Sequence, residues 1–283
     1  MHIFNKNLSD SLQKKSVLKV IAGLDNINIY NIAILAKAAE LAKATYIDIV
    51  ANTHVLSLLK SFIKLPICVS SIDSLELYNC YMAGADILEI GNFDVFYKKK
   101  IFFSSKDIVE LAYETRKLIH DKDICVTIPY HLSLSEQIKL SKDLEQIGIN
   151  IIQTESHFSK FNNNCNNFVD KIEKSAHKAA DSLSSTYILA NSTDLPIITS
   201  SGINDMSSSI AILYGASGIG VGSSIKKHPN ISSMSSYIKD IMKAIHLYSL
   251  NNIDSQHCYK STFKKSNDLY QDPEYMIKNL MSI

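Results

Sequence analysis

Tyr214-Gly215-Ala216-Ser217-Gly218-Ile219-Gly220-Val221-Gly222-Ser223 is the stretch on which the fold turns. It reads as a helix ending on glycine, a short buried strand, and a glycine–serine turn. Ala83-Gly84-Ala85-Asp86 and Ile147-Gly148-Ile149-Asn150 repeat its opening, each leading into an apolar run. An open doubly wound sheet would carry its glycine-rich phosphate turn after the first strand. The first turn here is Ala22-Gly23-Leu24-Asp25-Asn26, with no GxGxxG, and the glycine-rich element comes last.

Working outward, short β-branched runs recur at Val17–Ala22, Thr45–Ala51, Pro66–Ser70, Asp86–Ile90, Ile124–Pro129, Asn150–Thr154, Pro196–Ser201 and Ser217–Gly222. Their starts lie 28, 21, 20, 38, 26, 46 and 21 residues apart, room each time for a helix that returns the chain to a parallel strand. Helical periodicity fills Ile29–Ala44, His54–Lys64 and Lys106–His120. Ser133 and Glu136 have capping-box spacing ahead of Ile138, Leu144 and Ile147. Eight consecutive βα units predict an α/β chain folded as a single (β/α)8 TIM barrel. The barrel is expected over 16–249, after a lead-in at 1–15 and before a polar C-terminal extension at 250–283 with a short helix around Pro273–Met281.

Composition narrows the function classes. The 29 cations and 28 anions leave a net charge of +1, which excludes a strongly basic nucleic-acid binder. No stretch approaches the roughly eighteen uncharged apolar residues of a membrane-spanning helix. Only Arg116 among the 29 cations is arginine, and tryptophan is absent; these preferences follow AT-rich codons, as in a plastid or an AT-rich bacterium. Met1 to Lys15 carries no transit or secretory pattern, so the protein is expected to work in the compartment that makes it. Five scattered cysteines with no CxxC pair argue against a disulfide framework and a zinc site. Cys68 and Cys125 read as core residues; Cys165, in an Asn-rich loop expected to be mobile at Asn162–Asn167, is the one candidate thiol.

The working face follows from loop lengths. Asn92–Ser104 and Ser156–Asn167 are long strand-to-helix loops, and barrel active sites lie at the carboxyl ends of the strands. Within the strands, isolated polar residues sit between apolar ones: Lys19, Asp48, Glu89, Thr127 and Gln153. Helix-facing positions are apolar, so these five should point into the barrel. A desolvated lysine held by two carboxylates suits general acid–base or Schiff-base chemistry, or equally a satisfied ion cluster that fills the barrel. Glu155 and His131 are candidate residues of the mouth. Strands seven and eight end in Ser200-Ser201-Gly202 and Gly222-Ser223, where barrels that hold phosphorylated ligands place the anion. Ser223–Lys227 would form the short extra helix there, and Gly220 and Gly222 could instead relieve crowding at barrel closure. The Lys98–Lys100 run reads as a solvated loop face.

Several of these segments resemble one family. Lys19–Asn26, Ala44–Ile49, Leu65–Ser70, Gly84–Asp94, Ile151–Glu155 and Gly218–Ser223 are similar to the hypothetical chloroplast reading frame twenty-three (ycf) family of algal plastids and cyanobacteria. The likeness covers about residues 16–248 and is most specific at Glu89–Asp94 and Gln153–Glu155. It implies an aldolase-type barrel, encoded in the plastid and soluble in the stroma. Where that family is expected to carry small glycines, this chain has Ser156-His157.

The expected function is binding of a small phosphorylated molecule with lyase or isomerase chemistry. Gly202, Gly222 and Ser223 would hold the phosphate, and Lys19, Asp48 and Glu89 would lie at the reacting end. An FMN oxidoreductase is the alternative enzyme, because flavin barrels use the same two loops for the cofactor phosphate. A metabolite-sensing or partner-binding barrel is the alternative without catalysis. Neither a nucleic acid nor a membrane is expected as partner, and a homo-oligomer is compatible. There is no metal motif, although strand-end carboxylates could bind magnesium through phosphate.

Overall fold

The computed structural model describes residues 3–23, 28–91, 93–97, 99–156 and 168–251. Eight parallel strands close in chain order: β1 (Val17–Ile21), β2 (Tyr46–Val50), β3 (Ile67–Ser71), β4 (Ile87–Ile90), β5 (Asp123–Ile128), β6 (Ile151–Thr154), β7 (Ile197–Thr199) and β8 (Gly218–Val221). β8 pairs back to β1, with Leu18 opposite Ile219. Between them run α2 (Ile29–Ala42), α3 (Thr53–Lys60), α4 (Ser74–Met82), α5 (Asp94–Tyr97), α6 (Ser105–Leu118), α7 (Leu134–Ile147), α8 (Phe168–Ala190) and α9 (Ser208–Leu213), and α10 (Ile231–Asn251) follows β8. The (β/α)8 barrel expected from the spacing is the observed fold. Among the described residues no helix is long and apolar enough to cross a membrane.

Element boundaries follow local chemistry. Asn28, Asn52 and Asp73 accept hydrogen bonds from the first-turn N–H groups of α2, α3 and α4, and Ser133 and Glu136 form the expected capping box on α7. The repeated glycines Gly84, Gly148 and Gly215 take φ of 95°, 88° and 103° after their helices, the left-handed exit that glycine adopts without strain. The seventh strand, expected over Pro196–Ser201, stops at Thr199 because Ser201 (φ 62°) and Gly202 (φ 74°) both turn left-handed. The short helix expected at Ser223–Lys227 is a single 3₁₀ turn, Ile225–Lys227. The readings on Asn162–Asn167, Cys165 and Pro273–Met281 fall outside the described residues.

Two apolar cores result. One fills the shell between sheet and helices, with Leu18, Val20, Ile47, Ile49, Leu88 and Ile152 facing outward from the strands. The other is the floor of the barrel: Val17, Tyr46, Cys68, Ile87, Cys125, Ile151 and Ile198 point inward, and Leu8 and Leu12 close it from below. Those leucines belong to α1 (Lys6–Gln13), an element in the lead-in that the sequence reading left unassigned. Asp123 anchors this segment by accepting the N–H groups of Phe4 and Asn5, each at 2.9 Å. With floor and shell both apolar, polar side chains are left to the upper half of the interior, toward the carboxyl ends of the strands.

Candidate functional site

Strand alternation brings the five predicted inward residues together directly above the floor. Lys19 Nζ donates to Gln153 Oε1 at 2.8 Å, bonds Glu89 Oε2, and lies 3.3 Å from Asp48 Oδ2. The Gln153 amide donates to Glu89 Oε1 (2.9 Å) and Thr127 Oγ1 (3.0 Å), and the Thr127 hydroxyl donates to the same Glu89 oxygen at 3.1 Å. Ser70, on β3, donates its hydroxyl to Asp48 Oδ1. Sequence reasoning passed over Ser70, although its place between apolar Val69 and the strand end was the same signal. Lys19, Asp48 and Glu89 are only 0–1% exposed.

Charge balance decides the protonation states. Burial alone would lower the Lys19 pKa, but the carboxylates of Asp48 and Glu89 hold it well above the usual lysine value. Lys19 is therefore a fixed cation, which weakens the Schiff-base reading because an imine needs a free amine. Burial lifts Asp48 to about 6, with Glu89 adding to the rise and Lys19 and Ser70 opposing it. Asp48 is the member of the cluster poised to exchange a proton near neutral pH. Beneath it, burial pushes the Cys68 and Cys125 thiols well up, so both are inert core residues. Asp48, Cys68 and Glu89 bring ligand atoms within 4.8 Å of one another. The Lys19 ammonium bonds both carboxylates and supplies the positive charge that a metal would bring.

Glu155 lies two residues beyond Gln153, on the same inward face at the rim. Its Oε1 accepts the Tyr97 hydroxyl at 2.5 Å and the Tyr130 N–H at 3.0 Å. These partners come from the long loop after β4 and the turn after β5. His131 is packed among rings instead of facing solvent: Nε2 lies 3.0 Å from the Phe103 carbonyl, and Tyr97, Phe102 and Tyr130 surround it. Lys99 and Lys100 are exposed, while Lys98 lies outside the described residues.

At β7 and β8 the structure separates ligand space from packing space. Gly218, Gly220 and Gly222 face inward, but a Cβ on them would stand 2.4 Å from Val17 Cβ, 2.9 Å from Ser200 Oγ and 2.8 Å from the Ile21 carbonyl. Crowding at closure therefore accounts for these three glycines. Gly202 is required by α8: a Cβ there would lie 2.1 Å from the Lys178 carbonyl oxygen. Ser156, in place of the expected small glycine, donates its hydroxyl to the same carbonyl at 2.8 Å. Ser223 is exposed and Ser201 half-buried, and the N–H groups of Gly202 and Ser223 find no acceptor among the described residues. The Ser224 hydroxyl ties the two loops by donating to the Ile203 carbonyl at 3.2 Å. Burial, then the like charges of Lys227 and Lys174, depress the Lys178 pKa, which marks three lysines gathered beside these loops. Sequence reading missed them because they come from α8 and the turn after β8.

A family described as "Protein of unknown function (DUF561)" matches residues 3–251. The chain is 44% identical over 241 residues to the "Uncharacterized protein ycf23" of Porphyra purpurea, covering 85% of this chain and 89% of that one. It is 34% identical over 242 residues to the ycf23 protein of Cyanophora paradoxa, covering 85% and 97%. The ycf names denote plastid-encoded genes of algae. Among solved structures it is similar to 3-hexulose-6-phosphate synthase from Salmonella typhimurium (TM-score 0.59, 13% identity, 82% of this chain and 99% of that one). It is also similar to thiamine phosphate pyrophosphorylase from Pyrococcus furiosus (TM-score 0.55, 16% identity, 84% and 98%). At such identities the likeness is one of fold, that of the aldolase-type barrels.

Proposed function

Since the chain belongs to the DUF561 family, with the ycf23 proteins of red algae and Cyanophora, we propose that it is a stromal barrel enzyme that binds a small phosphorylated metabolite and acts as a lyase or isomerase. The observation that carries this reading is the buried Lys19–Asp48–Glu89 cluster at the mouth half of the barrel, with Asp48 raised to about 6. A lyase or isomerase of this kind moves a proton beside a carbonyl. Asp48 would exchange that proton, and the Lys19 ammonium would stabilise the oxyanion that develops. Gln153 and Thr127 orient Glu89, so the cation keeps its place while Asp48 changes charge. The N–H groups of Gly202 and Ser223, with Ser200 and Ser201 nearby and Lys178 and Lys227 adding positive potential, would hold the phosphate. Thiamine phosphate pyrophosphorylase and 3-hexulose-6-phosphate synthase, whose names specify phosphorylated compounds, have barrels of this type.

The full burial of Lys19, Asp48 and Glu89 favours a second reading, a metabolite-sensing barrel in which the cluster only fills the interior. Native mass spectrometry of the gently purified protein tests the phosphate site. A retained phosphorylated molecule, lost from Ser223→Asp, is expected. Ser223 is the position to change because it is exposed, whereas a side chain on Gly222 would collide with the Ile21 carbonyl. Equal retention by wild type and Ser223→Asp refutes the site. Incubating the retained ligand with protein in D2O separates the two readings. An enzyme incorporates deuterium into the ligand and Asp48→Asn does not; a sensor leaves it unlabelled.

A further inference from the structure

At the foot of the barrel, on the face opposite the mouth, α1, α10 and the turns entering the first strands enclose a cavity of about 350 Å³. That is a size at which pockets hold small molecules. Leu8, Pro66 and Met242 form its apolar wall, and Asn7, Lys43 and His246 stand on its polar side. Among the described residues no aspartate or glutamate lines it, so the lining is basic or neutral. Tyr46 is shared between this wall and the floor beneath the Lys19 cluster. Its buried hydroxyl has no hydrogen-bond partner among the described residues, so packing alone holds the ring.

The turns that feed the strands mark one residue of this cavity as unusual. Gly84, Gly148 and Gly215 each lie three residues before a strand, in the left-handed conformation. The N–H of the next residue then returns to a carbonyl of the helix: Ala85 to Cys80, Ile149 to Leu144 and Ala216 to Ala211, each at 3.0 Å. Lys43 occupies the same place before β2, with φ 61° and ψ 40°, and Ala44 donates to the Ala39 carbonyl at 3.0 Å. Lys15, also left-handed at φ 52°, precedes Ser16, another residue of the cavity wall. A side chain in this conformation is strained where glycine is not. Strain of that kind is retained where the side chain has a task. The Lys43 ammonium is exposed and has no partner among the described residues.

We propose that this cavity is a second binding site, for a small organic anion whose carboxylate or phosphate meets Lys43 and whose carbon part rests on Leu8, Pro66 and Met242. The charge follows from a lysine in a lining that holds no carboxylate to neutralise it. The organic body follows from the apolar wall and from a volume well beyond that of a bare anion. The site lies at the other end of the strands from the β7 and β8 loops and does not depend on their binding phosphate.

Isothermal titration of the full chain carrying Ser223→Asp, which closes the proposed phosphate loops, tests it at low ionic strength. The probes are inorganic phosphate, hexanoate and glycerol 3-phosphate. An organic probe is expected to bind as a single molecule per chain and more tightly than inorganic phosphate. Preference for hexanoate assigns a carboxylate ligand, and preference for glycerol 3-phosphate assigns a phosphate ester. Adding Lys43→Gly should weaken that probe about tenfold or more. The melting temperature without ligand should stay level or rise, because glycine relieves the left-handed turn. Lys142→Gln removes the same charge from the exposed side of α7 and should leave the affinity within about twofold. The proposal is overturned if neither organic probe binds, if Lys43→Gly binds as tightly as its parent, or if the two lysine variants weaken binding equally.

Discussion

Replacing Lys19 by methionine removes the one ammonium shared by Asp48, Glu89 and Gln153 and leaves two carboxylates without a counter-ion at 0–1% exposure. Methionine nearly matches the lysine stem in volume, so the cost is electrostatic and not a cavity. Breaking a buried ion pair from one side costs about 3–5 kcal/mol, a large share of the roughly 5–15 kcal/mol that holds a domain folded. With a urea slope of about 3 kcal/mol/M for a chain of this size, the midpoint should fall by about 1–1.7 M. The loss must also depend on pH. Without Lys19, the folded-state pKa of Asp48, already raised by burial, rises further above its unfolded value near 4. Its contribution to stability is then fully present below about pH 4 and is lost as pH rises through the raised folded value. The deficit against wild type should therefore be largest near about pH 8 and shrink toward about pH 5. Urea titrations followed by circular dichroism at both pH values measure it. Adding Asp48→Asn and Glu89→Gln to Lys19→Met should recover most of the loss, because no charge is then left buried. A deficit under about 1 kcal/mol near pH 8, or one that does not shrink on acidification, would refute the reasoning.

Two further outcomes follow from packing. Gly91→Ala places a Cβ 2.4 Å from Thr127 Oγ1 and 2.9 Å from Glu89 Oε1, so it should destabilise by about 1–3 kcal/mol, read as a lowered melting temperature. Leu8→Ala opens the barrel floor beneath Tyr46 and Ile87 and should cost about 2–5 kcal/mol. Equal urea midpoints for Leu8→Ala and wild type would mean that α1 is not part of the folded core.

The barrel and most of its interior cluster were legible because both rest on short-range periodicity. Gly84, Gly148 and Gly215 mark the helix-to-strand turns through the positive φ they must adopt, and that requirement is local. Period-two alternation alone turns Lys19, Asp48, Glu89, Thr127 and Gln153 inward, since Leu18, Val20, Ile47 and Leu88 are needed in the outer shell. The phosphate loops were legible in place but not in detail. Gly202 and Gly222 look alike as residues in a sequence, yet one yields to the Lys178 carbonyl and the other to Ile21. No local pattern records which neighbour comes close.

What the amino-acid sequence determined by itself is therefore the closed βα repeat and the polarity of its interior. Which polar groups meet was decided in three dimensions. Ser70 reaches Asp48 and Tyr97 reaches Glu155 across 22 and 58 residues of chain. Leu8 and Leu12 fill the floor only once the strands have closed above them. The pKa of Asp48 belongs to the same category, because it is set by the removal of water and by two charges that closure brings beside it. Helix and strand periods are properties of consecutive residues, whereas desolvation and long-range hydrogen bonds exist only after the chain has buried them.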